Sequence, residues 1–477
     1  MLLAMKKSSR GLLESNIASI PARHYALPLM VHPPLRPATN ALRTMMVPPL
    51  LLLLAGCVAP VSQIVSRISA DTGREFALKA EPAEAVMPPG VSLADGLTED
   101  EAVSMALWNN AAFQEALTEI GFTRADLIQA GQLSNPTLTV LFPYGPKQLE
   151  FTAKLPLEVL WLRPKRVAVA KADAERVAKM LAQTGLNLVR DVRLACTEVE
   201  LAQNRLRATR DSAEAFGELQ GIAQGRVAAG DGLEFEVTQA RVDAQRARSE
   251  VTSRLQDEII ARERLASLIG LGVNRISWKL RPLPPIPPIR KSPAELVKEA
   301  LAARPELRAA ELAIEAAGQR SGLAVAEIFT LSGTLDANRP PGGIEMGPGV
   351  DLAIPILNQN NGARALAHAK VAQAARHYIV VRDRIALEVR EAHARVVQAR
   401  GQLESWRSGL VPAMRTAVQQ ARKIHELGEL PAQLSLDAEQ KLAAGRLSEA
   451  DALAALRRAQ AELDRAIGRR LDHSPKL

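Results

Sequence analysis

Aromatic side chains are scarce in this sequence. There are 4 Trp, 3 Tyr and 8 Phe in 477 residues, or 3% of the chain. Nearly half the residues are apolar, many of them alanine. Long coiled helices with small seam residues fit that balance better than a thick globular core. Cysteine is nearly absent. Cys57 and Cys196 are the only two, and Cys196 lies in a helical pattern, so no disulfide framework is expected and Cys196 reads as a small buried hydrophobe. No apolar run is long enough to span a bilayer as a helix; the longest candidate, Leu50–Leu54, is far too short. No dense basic block stands out. The net charge of +8 comes from arginines spread among Glu and Asp, which solvated helix faces explain better than nucleic-acid binding, so no nucleic-acid partner is expected. His368, His377, His393 and His425 are scattered along one helical stretch and form no dedicated metal site. Nor is there a nucleophile with a base, or a cofactor loop. The sequence therefore reads as a non-enzyme without cofactor or metal centre.

What is present is periodicity. Over Val350–Leu357 the apolar residues Val350, Leu352, Ile354 and Ile356 alternate with Asp351, Ala353 and Pro355, the period of a strand. Asn358–Gly362 punctuates the chain. A run of more than sixty residues follows, with Pro412 well inside it. There Ile385, Val389, Ala392, Val396, Ala399, Leu403, Trp406, Leu410 and Ala413 keep four-three spacing, a heptad seam. A strand feeds directly into a very long helix.

An earlier copy of this junction lies at Phe151–Arg166. Pro156 corresponds to Pro355, Arg166 to Arg364 and Gly230 to Gly428, an offset of 198 to 199 residues, so the chain reads as internally duplicated. The first unit covers residues 97–272. Thr98 with Glu101 predicts a capping box opening a helix that Asn135-Pro136 stops. Strands follow at about 137–142 and 149–159, then a helical hairpin at about 165–268. Leu188, Val192, Ala195, Val199, Ala202 and Leu206 form its seam. A helix of about 60 residues spans about 90 Å. Gly230-Asp231-Gly232 supplies the tip turn; no strand precedes it and no Lys-Ser/Thr pair follows, so it does not read as a phosphate loop. A proline-rich connector occupies 273–292. The second unit, 293–468, opens at Ser292-Pro293 with Glu295 and runs as helix to about Glu327. Its strands are expected at about 329–337 and 347–357, and its hairpin at about 363–467 with the tip near Gly428. Residues 469–477 are a tail. Two such strand pairs are not stable alone and need partners.

The N-terminus has the pattern of an export signal. Arg43 precedes two prolines and the short apolar run, which ends in Leu54-Ala55-Gly56-Cys57. This resembles the lipobox of bacterial lipoproteins. The resemblance implies a leader over 1–56, lipidation at Cys57, and outer-membrane sorting favoured by Val58. Translation starting at Met45 or Met46 is equally compatible with the pattern. Residues 57–96, rich in proline between Pro82 and Gly90, read as an extended arm.

The lipobox, Arg304–Glu311 (R-P-E-L-R-A-A-E), Gly349–Arg364 (G-V-D-L-A-I-P-I-L-N-Q-N-N-G-A-R) and Leu427–Gln440 together resemble the outer-membrane efflux protein family typified by the TolC channel. The match is to its lipoprotein members, and within them to the heavy-metal and multidrug branch. That resemblance implies a homotrimer in which each chain gives four strands to a shared twelve-stranded membrane β-barrel. The long helices would form a periplasmic coiled-coil tunnel. It also implies an outer-membrane exit duct for metal cations, drugs or other small solutes. The partners would be a periplasmic adaptor, a proton-driven inner-membrane pump, outer-membrane lipid and further copies of the chain. Pro156, Arg166, Pro355, Asn358, Gly362 and Arg364 would mark the barrel-to-tunnel joints. Gly230, Asp231, Gly232, Glu426, Gly428 and Glu429 would mark the tips that meet the adaptor. The tip acids fit either a cation-attracting aperture or ordinary turn charge. Two other readings remain: a type I protein secretion duct, and a structural coiled-coil lipoprotein without a pore.

Overall fold

A computed structural model describes residues 61–78, 85–142, 144, 149–230, 232–272, 278–340, 343–426 and 432–469. Cys57, Asp231, Gly428 and Glu429 lie outside these residues, as does the side chain of Glu426.

The first unit opens with a helix inside the stretch expected to be an extended arm. This helix, α1 (Val61–Thr72), buries Ile68 completely. Asp71 on it accepts from Lys179 Nζ at 2.7 Å, so the arm is held to the first unit and does not run free. The capping box at Thr98 is present, and Glu101 N–H donates to Thr98 Oγ1 at 3.2 Å. The single helix expected from there to Asn135 is divided into α2 (Glu99–Asn109), α3 (Ala111–Leu117) and α4 (Glu119–Gly131). Asn110 causes the first break. Its extended backbone turns the chain, and its Oδ1 caps α3 by accepting from Phe113 N–H, competing with a continuous helix.

Strands β1 (Thr137–Leu141) and β2 (Glu150–Pro156) follow. The long helix α5 (Val159–Ala228) takes over three residues after Pro156, which ends the second strand short of 159. Seventy residues at 1.5 Å each make α5 about 105 Å long. Its predicted seam from Leu188 to Leu206 is buried throughout. Gly230, with φ +82, makes the turn into α6 (Glu234–Leu268). Residues 278–292, with neither helix nor strand assigned apart from a single bridge at Leu280, lead to the second unit. Leu97 N–H donates to Lys279 O at 2.7 Å and Arg281 N–H donates to Leu97 O at 2.9 Å.

The second unit repeats this order with α7 (Pro293–Ala303), α8 (Pro305–Ala326), β3 (Leu331–Asn338), β4 (Glu345–Leu352) and α9 (Asn361–Glu404). Its opening helix is also divided, because Pro305 drives Arg304 out of the helical region. Then come a π segment (Ser405–Leu410), α10 (Val411–Glu426) and α11 (Ala432–Ile467). Pro412 explains the π segment. It has no N–H and crowds the carbonyl four residues back; Val411 N–H donates to Trp406 O, five residues back. The extra residue shifts the seam. Core positions run Val396, Ala399, Leu403 and then Val411 and Val418. Leu410 and Ala413, which the heptad spacing assigns to the seam, are exposed.

One buried cluster joins α1, α2, α5 and α6 in the first unit, and another joins α7, α8, α9 and α11 in the second. Cys196 sits fully buried in the first cluster, where burial pushes its thiol pKa up, so it is an inert hydrophobe. The two units meet along α5 and α11, which run antiparallel. Arg193–Asp464 at 3.0 Å, Arg457–Glu200 at 2.5 Å, Arg205–Asp451 at 2.6 Å and Arg446–Asp211 at 3.2 Å step along this seam. The Arg193–Asp464 pair is the most deeply buried of them.

Candidate functional site

The four strands form one antiparallel sheet in the order β1-β2-β3-β4. The central pair, β2 with β3, joins the two units, with Phe151 opposite Ala337 and Lys154 opposite Thr334. Directly opposed residues share a face of the sheet, so the three registers sort every strand residue onto one of two sides. One side carries Leu138 and Val140; Phe151, Ala153 and Leu155; Leu331, Leu335 and Ala337; and Met346, Pro348, Val350 and Leu352. The other carries Thr137, Thr139, Glu150, Thr152, Lys154, Ser332, Thr334, Asp336, Asn338, Glu345 and Asp351, with Leu141 and Pro156 its apolar members. One face is oily and the other is polar and charged. Among the described residues the chain buries only Ser332 of the strands and leaves both faces otherwise open: β4 is exposed at every position, with Val350 70% and Leu138 68% exposed. Among the described residues the sheet's two edges, β1 and β4, are also unpaired.

Lys154 lies on the polar face, as does Glu150 of the same strand. Its ammonium reaches across β3 to pair with Asp351 on β4. No sequence periodicity points to this pair, because the partners are 197 residues apart.

The two strand-to-helix joints are unequal. At the first, Pro156 is the last strand residue, opposite Ser332. The N–H groups of Leu157 and Glu158 donate to Leu331 O at 2.8 and 3.1 Å, and α5 begins at once. At the second, the strand expected to reach 357 ends at Leu352, and residues 353–360 form an irregular link. Pro355 lies inside that link. Asn358 Oδ1 accepts from Asn360 N–H at 3.0 Å. Asn360 itself was not among the expected joint residues, yet it makes the turn. Its φ of +55 is the sole positive value at a non-glycine among the described residues. Its Nδ2 donates to Ala324 O at 3.1 Å, fastening the link to α8. Asparagine tolerates this backbone better than most residues, so the Asn-Gln-Asn-Asn run was the available signal. Arg166 and Arg364 occupy corresponding places on α5 and α9. Both bury Nε without a hydrogen-bond partner.

Gly362, by contrast, lies in the first turn of α9 with nothing within 4 Å of an added Cβ and no positive φ. Gly362→Ala is expected to leave efflux unchanged and to raise stability by up to about 1 kcal/mol, measured as a rise in thermal midpoint. Loss of efflux in this variant would restore a glycine-specific role. At the tips, Gly230 and Gly232 are placed in the α5–α6 turn. Gly232 lies close under Val227, 3.1 Å from an added Cβ to its backbone nitrogen.

Among the described residues no group of three or more His, Cys, Asp or Glu is placed to hold a metal ion. Among them too, no helix is long and apolar enough to cross a membrane; that statement concerns helices and not strands.

The sequence matches the family described as outer membrane efflux protein twice, over residues 102–271 and 296–469. The chain belongs to the outer membrane efflux protein family. The two matched segments coincide with the two units that repeat the same order of elements. A curated relative is the cobalt-zinc-cadmium resistance protein CzcC of Cupriavidus metallidurans, 27% identical over 436 residues, which cover 88% of this chain and 99% of CzcC. The fold is that of solved outer membrane channels. Campylobacter jejuni CmeC aligns with a TM-score of 0.67 at 14% identity, over 82% of this chain and 90% of that one. The open state of Neisseria gonorrhoeae MtrE aligns with a TM-score of 0.62 at 15% identity, over 82% and 98%. As an outer membrane efflux protein, the chain is a transport component of the outer membrane and not an enzyme.

Proposed function

We propose that this chain is the passive exit duct of a tripartite efflux system. It works as a homotrimer whose sheets close into one barrel in the outer membrane. The observation that carries this reading is the sorted, uncovered sheet. An oily face meets lipid, a polar face with the Lys154–Asp351 pair lines water, and closure against two further copies pairs the open edges of β1 and β4. Eight-residue strands such as β3 and β4 reach about 27 Å, comparable with the apolar band of about 25 Å around membrane barrels. The antiparallel helices α5, α6, α9, α10 and α11 continue below as the wall of a periplasmic tunnel.

Several finer assignments belong to the same reading. Cys57 is lipidated and anchors the mature chain. Pro156, Arg166, Pro355, Asn358 and Arg364 frame the joints between barrel and tunnel, with Asn360 added to them. Gly230, Asp231, Gly232, Glu426, Gly428 and Glu429 form the tips that meet a periplasmic adaptor, and through it an inner-membrane pump, proton-driven, that supplies the energy. The cargo is a small solute. Metal cations are favoured because the CzcC relative, whose name records cobalt, zinc and cadmium resistance, aligns over nearly its whole length.

Conductance of the purified protein in planar lipid bilayers, together with its mass in detergent, tests the duct. Discrete single-channel steps from a particle of three chains are the expected result. A monomeric particle without conductance would overturn the reading.

A further inference from the structure

The ends of α1 and α11 meet the middle of α5 around a cavity of about 220 Å³, and five of the residues lining it are arginines: Arg74, Arg190, Arg193, Arg465 and Arg469. Two of the five arrive in the same way. Gly73 closes α1 with φ +66, and Gly468 closes α11 with φ +82. Gly73 N–H donates to Ala70 O at 3.3 Å and Arg74 N–H to Ser69 O at 3.1 Å. Gly468 N–H donates to Arg465 O at 3.0 Å and Arg469 N–H to Asp464 O at 3.1 Å. Both ends are Schellman motifs, whose left-handed position suits glycine. The motif satisfies the last helix carbonyls with backbone N–H groups, so the guanidinium groups of Arg74 and Arg469 are not needed as caps. Arg190 and Arg193 stand three residues apart on α5 and so share a face. Arg465 comes from the last turn of α11.

Charge around this cavity is unevenly placed. Its lining includes two carboxylates, and both are already matched. Asp71 accepts from Lys179 Nζ at 2.7 and 2.9 Å, and Asp464 accepts from Arg193 at 3.0 Å. The acids that meet the other four arginines stand outside the lining. Arg74 pairs with Asp100, and Arg190 with Asp191 at 2.7 Å. Arg465 shares Glu462 with Arg190 and Glu388 with Arg304. Arg469 shares Glu299 with Lys291. Side-chain exposure runs from 8% at Arg193 to 35% at Arg469, so salt screens these charges less than free surface charges. Guanidinium groups crowded against one space, with shared acids behind them, call for an anion in front.

Size and donor set choose the anion. A volume of about 220 Å³ is far more than one water needs, about 10–15 Å³, and less than the ~300 Å³ at which drug-sized pockets begin. A lone carboxylate has two oxygens and is filled by two guanidinium forks, whereas a phosphate group offers three strong acceptor oxygens to several forks at once. We propose that this cavity binds a phosphate group, free or as the monoester of a small molecule, between Arg74, Arg190, Arg465 and Arg469, with the Arg193–Asp464 pair as its wall. At 1.5 Å per residue, Leu186–Arg193 lie roughly 40–50 Å down α5 from the sheet, so the phosphate comes from a soluble molecule and not from a lipid at the strands. Bound there, it ties the ends of α1 and α11 to α5 and fastens the N-terminal segment to the seam between the two units. It is a structural ligand, distinct from the cargo.

Titration calorimetry of the full chain, purified in a detergent without phosphate, tests the site. Inorganic phosphate and glycerol 3-phosphate are each titrated against sodium chloride at equal ionic strength. One saturable site per chain for at least one of the two phosphates, and none for chloride, is the expected result; the tighter of the two names the source. Arg74→Gln with Arg190→Gln should weaken binding at least about tenfold while the protein stays folded, because partly exposed ion pairs contribute little to stability. Arg254→Gln with Arg395→Gln removes the same charge from ion pairs away from the cavity and should leave the affinity as it is. Arg469→Gln alone gives a second reading should the first pair disturb the fold. No saturable heat from the wild type with either phosphate, or equal affinity in the two double variants, overturns the site.

Discussion

Replacing Arg304 with methionine is expected to destabilise the second unit by about 3–5 kcal/mol, the usual cost of removing one partner from a buried charge network. The Arg304 side chain is 1% exposed. It stands at the break between α7 and α8, donating to Glu388 on α9 at 2.6 Å and to Glu306 at 2.8 Å. Arg465 on α11 donates to the same Glu388 at 3.2 Å, and Arg384 pairs with Glu306. One guanidinium thus ties together three helices, and its removal leaves two half-buried carboxylates competing for two weaker partners. Unfolding of the purified protein followed by circular dichroism measures the loss. The double variant Arg304→Met with Glu388→Gln should recover part of it, since the orphaned charge is then gone. A loss below about 1 kcal/mol, the range of an exposed ion pair, would show that water screens the network.

The same network sets an acid limit. Burial acts to raise the Glu388 carboxyl, but the hydrogen bond and charge of Arg304, aided by Arg465 and Arg384, hold its pKa below the usual carboxylate range. A carboxyl depressed in the folded state contributes stability that is complete above its unfolded pKa and is lost as pH falls through the lowered folded value. The wild type should therefore lose stability on acidification across that window. Arg304→Met should lack this part of the slope.

Gly270→Ala is the second large effect, about 2–4 kcal/mol from combined backbone strain and overpacking. Gly270 has φ +80, and an added Cβ would lie 2.4 Å from Asn109 Cβ and 2.8 Å from Asn109 O. The Asn109 backbone cannot retreat. Its side chain is buried and bound to both backbone groups of Val86, accepting from Val86 N–H and donating to Val86 O, each at 2.8 Å. Gly468 holds the corresponding place in the second unit with φ +82, but there the nearest atom is Arg304 Cγ at 3.3 Å. Gly468→Ala should cost roughly the backbone strain alone, ~1 kcal/mol. The difference in thermal midpoint between the two alanine variants measures the close approach. Equal midpoints would show that the loop after α6 gives way.

Much of this architecture is legible without coordinates, for a local reason. Heptad spacing from Leu188 to Leu206 and from Ile385 to Leu403 states which helix face is buried, because side-chain direction repeats with the backbone. Ser292-Pro293 and Thr98 with Glu101 state where helices start, because capping is a contact between near neighbours. Gly230 marks a turn because its φ suits glycine, and alternation marks the strands. Where local signals conflict, the chain parts from its pattern. Asn110 caps a new helix inside an expected one, Pro412 inserts a residue into the seam, and α1 folds from a segment whose composition suits a linker because Ile68 finds a pocket in the first unit.

The rest was decided by contacts between distant segments. Which strand sits beside which, and so the sorting of the sheet into an oily and a polar face, follows from β2 meeting β3 across the two units. The Lys154–Asp351 pair, the enclosure of Arg304 and the outward turn of Leu410 and Ala413 depend on the same assembly. By itself the sequence determined the periods, the turns and the repeat that make strands feed long helices. Only the tertiary structure decided which faces those strands and helices leave uncovered, because exposure belongs to the packed chain and not to any window along it.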